Sequence, residues 1–210
     1  MIELEIQFLL DELMIKENPK KVYVVGVDGL GGAGKSTVSN LLKSKLRNKG
    51  FGSYVLHIDD FIHTKYIRYN EFEEEWYCYY NIQWRYDYLV KEILLPIKNC
   101  SKIDRLIELY DKENDNYVLE SIDILQGCIL ILEGIFLQRK ELKGYLDFII
   151  YIDAPKELRL KRVLERDSYI GEIEDIKNKY NRRYFPAEER YLTEYSPVEN
   201  ANLVLRNKLI

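Results

Sequence analysis

Residues 26–37 read Gly-Val-Asp-Gly-Leu-Gly-Gly-Ala-Gly-Lys-Ser-Thr. Five of the chain's eleven glycines fall in the nine positions 26–34. Glycine at that density weakens the interior of any helix or strand, so the run reads as a loop. It follows the β-branched stretch KKVYVV and opens the amphipathic pattern STVSNLLKSKL, which gives the order strand, tight loop, helix. Gly29-x4-Gly34-Lys35-Ser36 fits the phosphate-binding loop pattern position by position. In such a loop, Gly29, Gly31, Gly32, Ala33, Gly34, Lys35, Ser36 and Thr37 turn their N–H groups into one concavity that takes anionic oxygens. The helix that follows adds its positive end. Lys35 brings a mobile cation to the terminal phosphates, and the Ser36 hydroxyl is placed to ligate Mg²⁺. The stretch predicts a nucleoside triphosphate site.

Length and composition frame that reading. A chain of 210 residues is most economically one domain, 1–210, long enough for one sizeable core. Hydrophobic residues make up 47 % and charged residues 31 %, as in soluble globular proteins. With a net charge of −4, bulk electrostatics favour neither nucleic acid nor an anionic membrane. No apolar run approaches the ~20 residues of a membrane span. The acidic start MIELEIQFLLDEL lacks the basic beginning of a secretory signal and reads as an amphipathic helix. Cys78, Cys100 and Cys128 show no disulfide or zinc pattern, and the two histidines, His57 and His63, are too few for a His-based metal site. The expectation is a cytoplasmic protein with a small-molecule partner, in which a homo-oligomer is left open.

Five apolar runs read as buried strands: VYVVGV (22–27), YVLHI (54–58), CILILE (128–133), FIIYID (148–153) and NLVLR (202–206). Helix-period segments at 3–17, 35–48, 81–95, 155–167 and 172–192 alternate with them. Pro155 suits the first turn of its helix, with Asp153 or Ala154 near the cap. Near-continuous apolar strands alternating with helices predict an α/β fold, a mainly parallel five-stranded sheet with helices on both faces. Between 102 and 124, two partly alternating stretches flank the polar DKENDN and predict an inserted β-hairpin. The chain holds eighteen tyrosines, at their densest in 66–88 around EEWYCYYNIQWRYDYL, where they either line the boundary of core and water or stack on a planar ligand.

Binding a triphosphate does not specify the reaction. A guanine-specific enzyme would carry Asn-Lys-x-Asp, and the nearest approach, Asn178-Lys179-Tyr180-Asn181, lacks the aspartate. CILILEG ends in a single carboxylate rather than the acidic pair of a motor ATPase. Glu133, at the C-terminal end of a central strand, is favoured to hold Mg²⁺ or its water; Asp153 competes, but the DAP that follows suits helix capping. YVLHIDDFI runs a strand into Asp59 and Asp60, and a carboxylate there can take the proton of an incoming hydroxyl. Adjacent residues point in different directions, so one of the two is expected to be catalytic.

The loop, the strand-end DDF, the LEGIFL strand and DAPKELRLKRVLERD together resemble uridine kinase and its relatives, which include phosphoribulokinase and a pantothenate kinase branch. The resemblance spans about residues 20–206 and implies a P-loop NTPase fold with the hairpin over the acceptor. Carried over by position, it implies that Asp59 is the catalytic base and that Arg159, Arg162 and Arg166 are lid arginines of a region at about 159–185. It further implies that Asp87, with Tyr86 beside it, holds acceptor hydroxyls, and that Tyr110 belongs to the hairpin that closes over the acceptor, within an acceptor segment at about 64–124. Two features depart from uridine–cytidine kinases. YDKENDNY holds no histidine, and SYIGEIED replaces an arginine-rich turn, leaving Arg182 and Arg183 of the next helix as candidates to supply that charge.

The expectation is therefore an ATP- and Mg²⁺-dependent kinase of a hydroxyl on a small, nucleoside-like acceptor. Alternatives are a kinase of another small alcohol such as pantothenate, and a nucleotide-binding regulator without turnover. The window 66–90 holds only Arg68 and Arg85 among many acids, with Lys91 beside it, which favours a neutral acceptor.

Overall fold

The structure, a computed structural model, describes residues 21–100 and 102–207; the helix expected at 3–17 lies outside them. In chain order the strands are β1 (Tyr23–Gly29), β2 (Ser53–His57), β3 (Ile103–Asp111), β4 (Asn116–Ile124), β5 (Ile129–Gly134), β6 (Phe148–Asp153) and β7 (Leu203–Arg206). Five of them form one parallel sheet in the order β2-β5-β1-β6-β7. β3 and β4 form the separate antiparallel hairpin. Successive side chains of a strand face opposite sides, and both sides here are apolar. Val24, Leu56, Leu130, Leu132 and Tyr151 pack into one cluster. Val25, Val27, Ile131, Ile150 and Ile152 pack into another with Val38, Leu42 and Leu46 of helix α1 (Lys35–Asn48). Among the described residues no helix is long and apolar enough to cross a membrane.

Two further helices position the site, α2 (Lys156–Arg166) and α3 (Phe185–Tyr195). Pro155 is the residue that caps α2 rather than part of its first turn. The helix expected over 172–192 runs from Ile173 through a π-helical turn, Tyr180–Tyr184, into α3. The helix expected over 81–95 is broken. Helical segments end at Ile82 and resume at Tyr86. Between them the backbone pairs with residues 61–63: His63 N–H donates to Gln83 O at 2.8 Å and Arg85 N–H to Phe61 O at 2.8 Å. That local strand-like pairing outcompetes the helical period of the sequence.

The hairpin is fixed to the domain from below. Ile103, Ile107, Ile122 and Ile124 join the first apolar cluster. The Arg85 guanidinium lies 4.0 Å from the ring centres of both Tyr88 and Tyr117 and pairs with Glu108 at 2.8 Å. Most rings of the tyrosine-rich segment pack on one another: Tyr79 meets Trp84, Phe136 and Tyr184, and Tyr80 meets Phe136.

Candidate active site

The glycine-rich loop joins β1 to α1. Gly34, which caps α1, adopts the left-handed region at φ 104°, where a side chain would be strained. The turn leaves the amides of Gly32, Gly34, Lys35 and Ser36 without an acceptor among the described residues, and the side chains of Ser36 and Thr37 are exposed. This is a cradle of donors at a helix N-terminus, which suits phosphate oxygens. Lys35 Nζ donates to Leu30 O at 3.1 Å. Burial lowers the pKa of that ammonium, against the pull of Glu133, Asp59, Asp28 and Glu188.

The loop is held from beneath by α3. Glu188 accepts the Gly31 N–H at 2.9 Å, and Arg159 donates to Gly31 O at 3.1 Å and to Glu188 at 2.8 Å. One helical turn on, the Tyr191 hydroxyl donates to the buried carboxylate of Asp28 at 2.5 Å, which also accepts the Gly29 N–H at 2.8 Å. Burial raises the Asp28 pKa. Asp28, Glu188 and Tyr191 were not singled out in the sequence. Asp28 sits inside the motif, but its α3 partners carry no signal at sequence level.

Parallel register brings the acidic groups together. Glu133 at the end of β5 lies beside His57 of β2 and Val27 of β1. The Ser36 hydroxyl donates to Glu133 Oε1 at 3.2 Å, and His57 Nδ1 lies 2.5 Å from Oε2. Burial pushes the Glu133 carboxyl up, but the hydrogen bond with His57 and the Lys35 charge outweigh it and hold it below its ordinary value. The same hydrogen bond raises the pKa of His57. A hydroxyl and a carboxylate converging beside phosphate donors form a hard oxygen donor set that fits Mg²⁺. Asp153 is not among the residues lining the cleft.

Asp59 follows β2 in a short 3₁₀ turn, Ile58–Asp60. Ile58 is buried against Gly134, where an added Cβ would come within 2.0 Å of the Ile58 side chain. The glycine of the LEG motif thus lets the turn bearing Asp59 approach the strand bearing Glu133. Asp59, Asp60, Lys35, Ser36 and Glu133 line one cleft of about 1220 Å³. Burial raises the Asp60 carboxyl.

The three arginines of α2 separate in role. Arg159 is buried beneath the loop in the contacts above. Arg162 lines the cleft and donates to the carbonyls of Gly32 and Ala33 at 3.2 and 3.1 Å. Arg166 also lines the cleft, paired at 2.6 Å with Asp167, which accepts the Tyr180 hydroxyl at 2.7 Å.

On the hairpin side, Tyr110 reaches the cleft, as do Lys65, Arg68, Tyr69, Gln83 and Lys112. The Tyr110 hydroxyl accepts from Arg68 at 2.9 Å and donates to Asp115 at 2.7 Å. Tyr86 and Asp87 are not brought to this cleft: Tyr86 is buried beside Trp84, and Asp87 is exposed on the helical turn that follows. The broken helix at 83–85 accounts for this, because it turns Gln83 rather than Asp87 inward.

Comparison with known proteins agrees with the geometry. The model of the phosphoribulokinase / uridine kinase family matches residues 24–206. A uridine kinase from Staphylococcus aureus is 30 % identical over 151 residues, 71 % of this chain and 70 % of that protein. A structure described as a possible uridine kinase from Bacillus stearothermophilus superposes with a TM-score of 0.78 at 29 % identity, covering 97 % of this chain and 98 % of that one. D-glycerate 3-kinase from Cryptococcus neoformans shares the fold, with a TM-score of 0.66 at 15 % identity over 90 % of this chain and 87 % of its own. The chain belongs to the phosphoribulokinase / uridine kinase family and is a small-molecule ATP-dependent kinase of the P-loop class.

Proposed function

We propose that the protein transfers the γ-phosphoryl group of ATP, with Mg²⁺, to a hydroxyl of a small acceptor held between the phosphate loop and the hairpin. The observation that carries this reading is the meeting of Asp59 with Lys35, Ser36 and Glu133 in one cleft. A protein that only bound nucleotide would have no use for a carboxylate facing the phosphate cradle.

Asp59 accepts the proton of the acceptor hydroxyl as its oxygen forms a bond to the γ-phosphorus. The bond from that phosphorus to the bridging oxygen breaks, and ADP leaves with the electron pair. Lys35 and the loop amides hold the phosphates in line, and Arg162 and Arg166, which line the same cleft, offset charge on the transferring group. Ser36 and Glu133 would hold Mg²⁺, which when bound neutralises phosphate charge. A nucleoside such as uridine is the first acceptor to try, and pantothenate the first of a different kind.

The test is ATP consumption by the purified protein with Mg²⁺ against nucleosides, pantothenate and simple sugars, with Lys35→Ala as the blank. Turnover with one acceptor and none in the blank is expected. Tight ATP binding with no turnover across the panel would instead favour a nucleotide-binding regulator.

A further inference from the structure

Four arginines are buried among the described residues: Arg68, Arg139, Arg159 and Arg183. Taking a guanidinium out of water is expensive unless a carboxylate accompanies it. Arg139 has Glu141 at 3.0 Å and Arg159 has Glu188 at 2.8 Å. Arg68 and Arg183, 8 % and 1 % exposed, have no carboxylate within 4.0 Å among the described residues.

Arg68 lines the acceptor end of the cleft, and Arg183 stands behind Tyr69 and Gln83, which line it. Arg68 lies 5.7 Å and Arg183 4.3 Å from the centre of the same ring, Tyr69, which lines that cleft. Their hydrogen bonds go only to uncharged oxygens. Arg68 donates to His63 O at 3.3 Å and to the Tyr110 hydroxyl at 2.9 Å. Arg183 donates to Glu75 O at 3.2 Å and to Gln83 Oε1 at 2.8 Å. An arginine can only donate, so Arg183 fixes the Gln83 carboxamide with its oxygen inward and leaves the amide nitrogen for the cleft. The wall thus offers a guanidinium and a carboxamide nitrogen, with Lys65 and Lys112 also lining the cleft. The opposing charges are Asp115, which reaches Arg68 through the Tyr110 hydroxyl, and the carboxylates of Asp59, Asp60, Glu133, Glu165, Asp167 and Glu188, which line the same cleft.

The geometry points to an acceptor that carries an anionic oxygen group, a carboxylate or a phosphate, read by Arg68 and by the amide nitrogen of Gln83, with Arg183 as the residue that positions Gln83. This inference rests on the phosphoryl-transfer reading above and names its acceptor class. It reverses the neutral acceptor expected from residues 66–90, because folding brings Lys65 and Lys112 to the cleft from outside that window. The missing anionic partner of Arg68 is supplied by the substrate.

Binding separates the two readings. The full chain is saturated with Mg²⁺ and a non-hydrolysable ATP analogue, so that added anions do not report the phosphate loop. D-glycerate against glycerol, and ribose 5-phosphate against ribose, are then titrated by calorimetry, with uridine alongside. At least one anionic member is expected to bind about tenfold or more tightly than its neutral partner, the worth of one charge-assisted hydrogen bond. The pair that responds tells carboxylate from phosphate. Arg68→Gln should erase the preference with the affinity for the analogue unchanged. Gln83→Glu should erase it too, while raising resistance to denaturant because Arg183 gains its carboxylate, so the loss is not unfolding. Equal affinities within both pairs, or a preference that survives both variants, overturn the inference. An anion preference without turnover would leave it standing and sink the transfer reading. Turnover confined to uridine, glycerol or ribose would do the reverse.

Discussion

Arg159 and Glu188 form a buried ion pair, 2.8 Å from Nη1 to Oε2, that grips Gly31 by both of its polar backbone groups. The pair ties α3 to the phosphate loop, so loop shape depends on a helix more than 150 residues away in the chain. Glu188→Ala leaves a buried guanidinium without its partner, which costs about 3–5 kcal/mol. Replacing both partners with apolar residues, Arg159→Met with Glu188→Leu, should cost less than that single change, because no charge is then buried unpaired. Urea denaturation of the single and double variants measures this. A double variant that loses the sum of both single losses would show that the two side chains act independently. ATP affinity should fall in the single and the double variants alike, since each frees Gly31.

Asp59 lines the cleft with Lys35 and Glu133, and no protein group donates a hydrogen bond to its carboxylate among the described residues. As the base, it acts on the acceptor and not on nucleotide binding. Asp59→Asn should therefore lower kcat by about 10²–10⁴-fold while the Kd for ATP barely changes. Steady-state rates beside nucleotide titrations decide it. A parallel loss of ATP affinity would remove Asp59 from that role and leave Asp60 as the carboxylate to test.

The sheet was legible in the sequence because its strands are short β-branched runs with no competing period, and each of the five lies within two residues of its expected limits. The phosphate loop was legible because it is local. What escaped was everything set by distant pairing. His57 reads as an unremarkable residue in YVLHI, yet parallel register sets it beside Glu133. Glu188 and Tyr191 lie on a helix whose apolar pattern says nothing about what its polar face grips. The break at 83–85 was hidden for the same reason, since the competing hydrogen bonds come from residues 61–63.

The contact between His57 and Glu133 carries a pH signature. The hydrogen bond with Glu133 raises the folded-state pKa of His57, so its contribution to stability is full below the unfolded value of about 6.5 and is lost as pH rises through the folded value. Glu133 is held below its ordinary value, so its side of the contact is present above about pH 4.3 and lost on acidification. Both charges coexist between those limits. Half of the imidazole faces solvent, so screening keeps the gain to about 1 kcal/mol or less. Without added Mg²⁺, the stability difference between the wild type and His57→Asn should be largest near pH 5.5–6.5, between the two unfolded values, and should shrink by pH 8.5. A difference that grows with pH would mean that His57 is neutral in the folded protein and bonded to Glu133 through a single N–H.

Gly134 and Ile58 offer the sharpest test of how the base is placed. An added Cβ at Gly134 would lie 2.0 Å from Ile58 Cγ2 and 2.7 Å from its Cβ, distances no side chain tolerates. Ile58 must then retreat, and Asp59, the next residue, moves with it. Overpacking a core site costs about 1–3 kcal/mol, so Gly134→Ala should fold with a lowered midpoint in denaturant. Its kcat should fall well beyond what that loss explains, because about 1 Å of misplacement at a reacting group can cost a hundredfold. Trimming the opposing side chain, Ile58→Ala in the Gly134→Ala background, removes the Cγ2 clash and should restore part of the rate without improving ATP affinity. Full activity in Gly134→Ala would show that the turn carrying Asp59 is not registered by this contact.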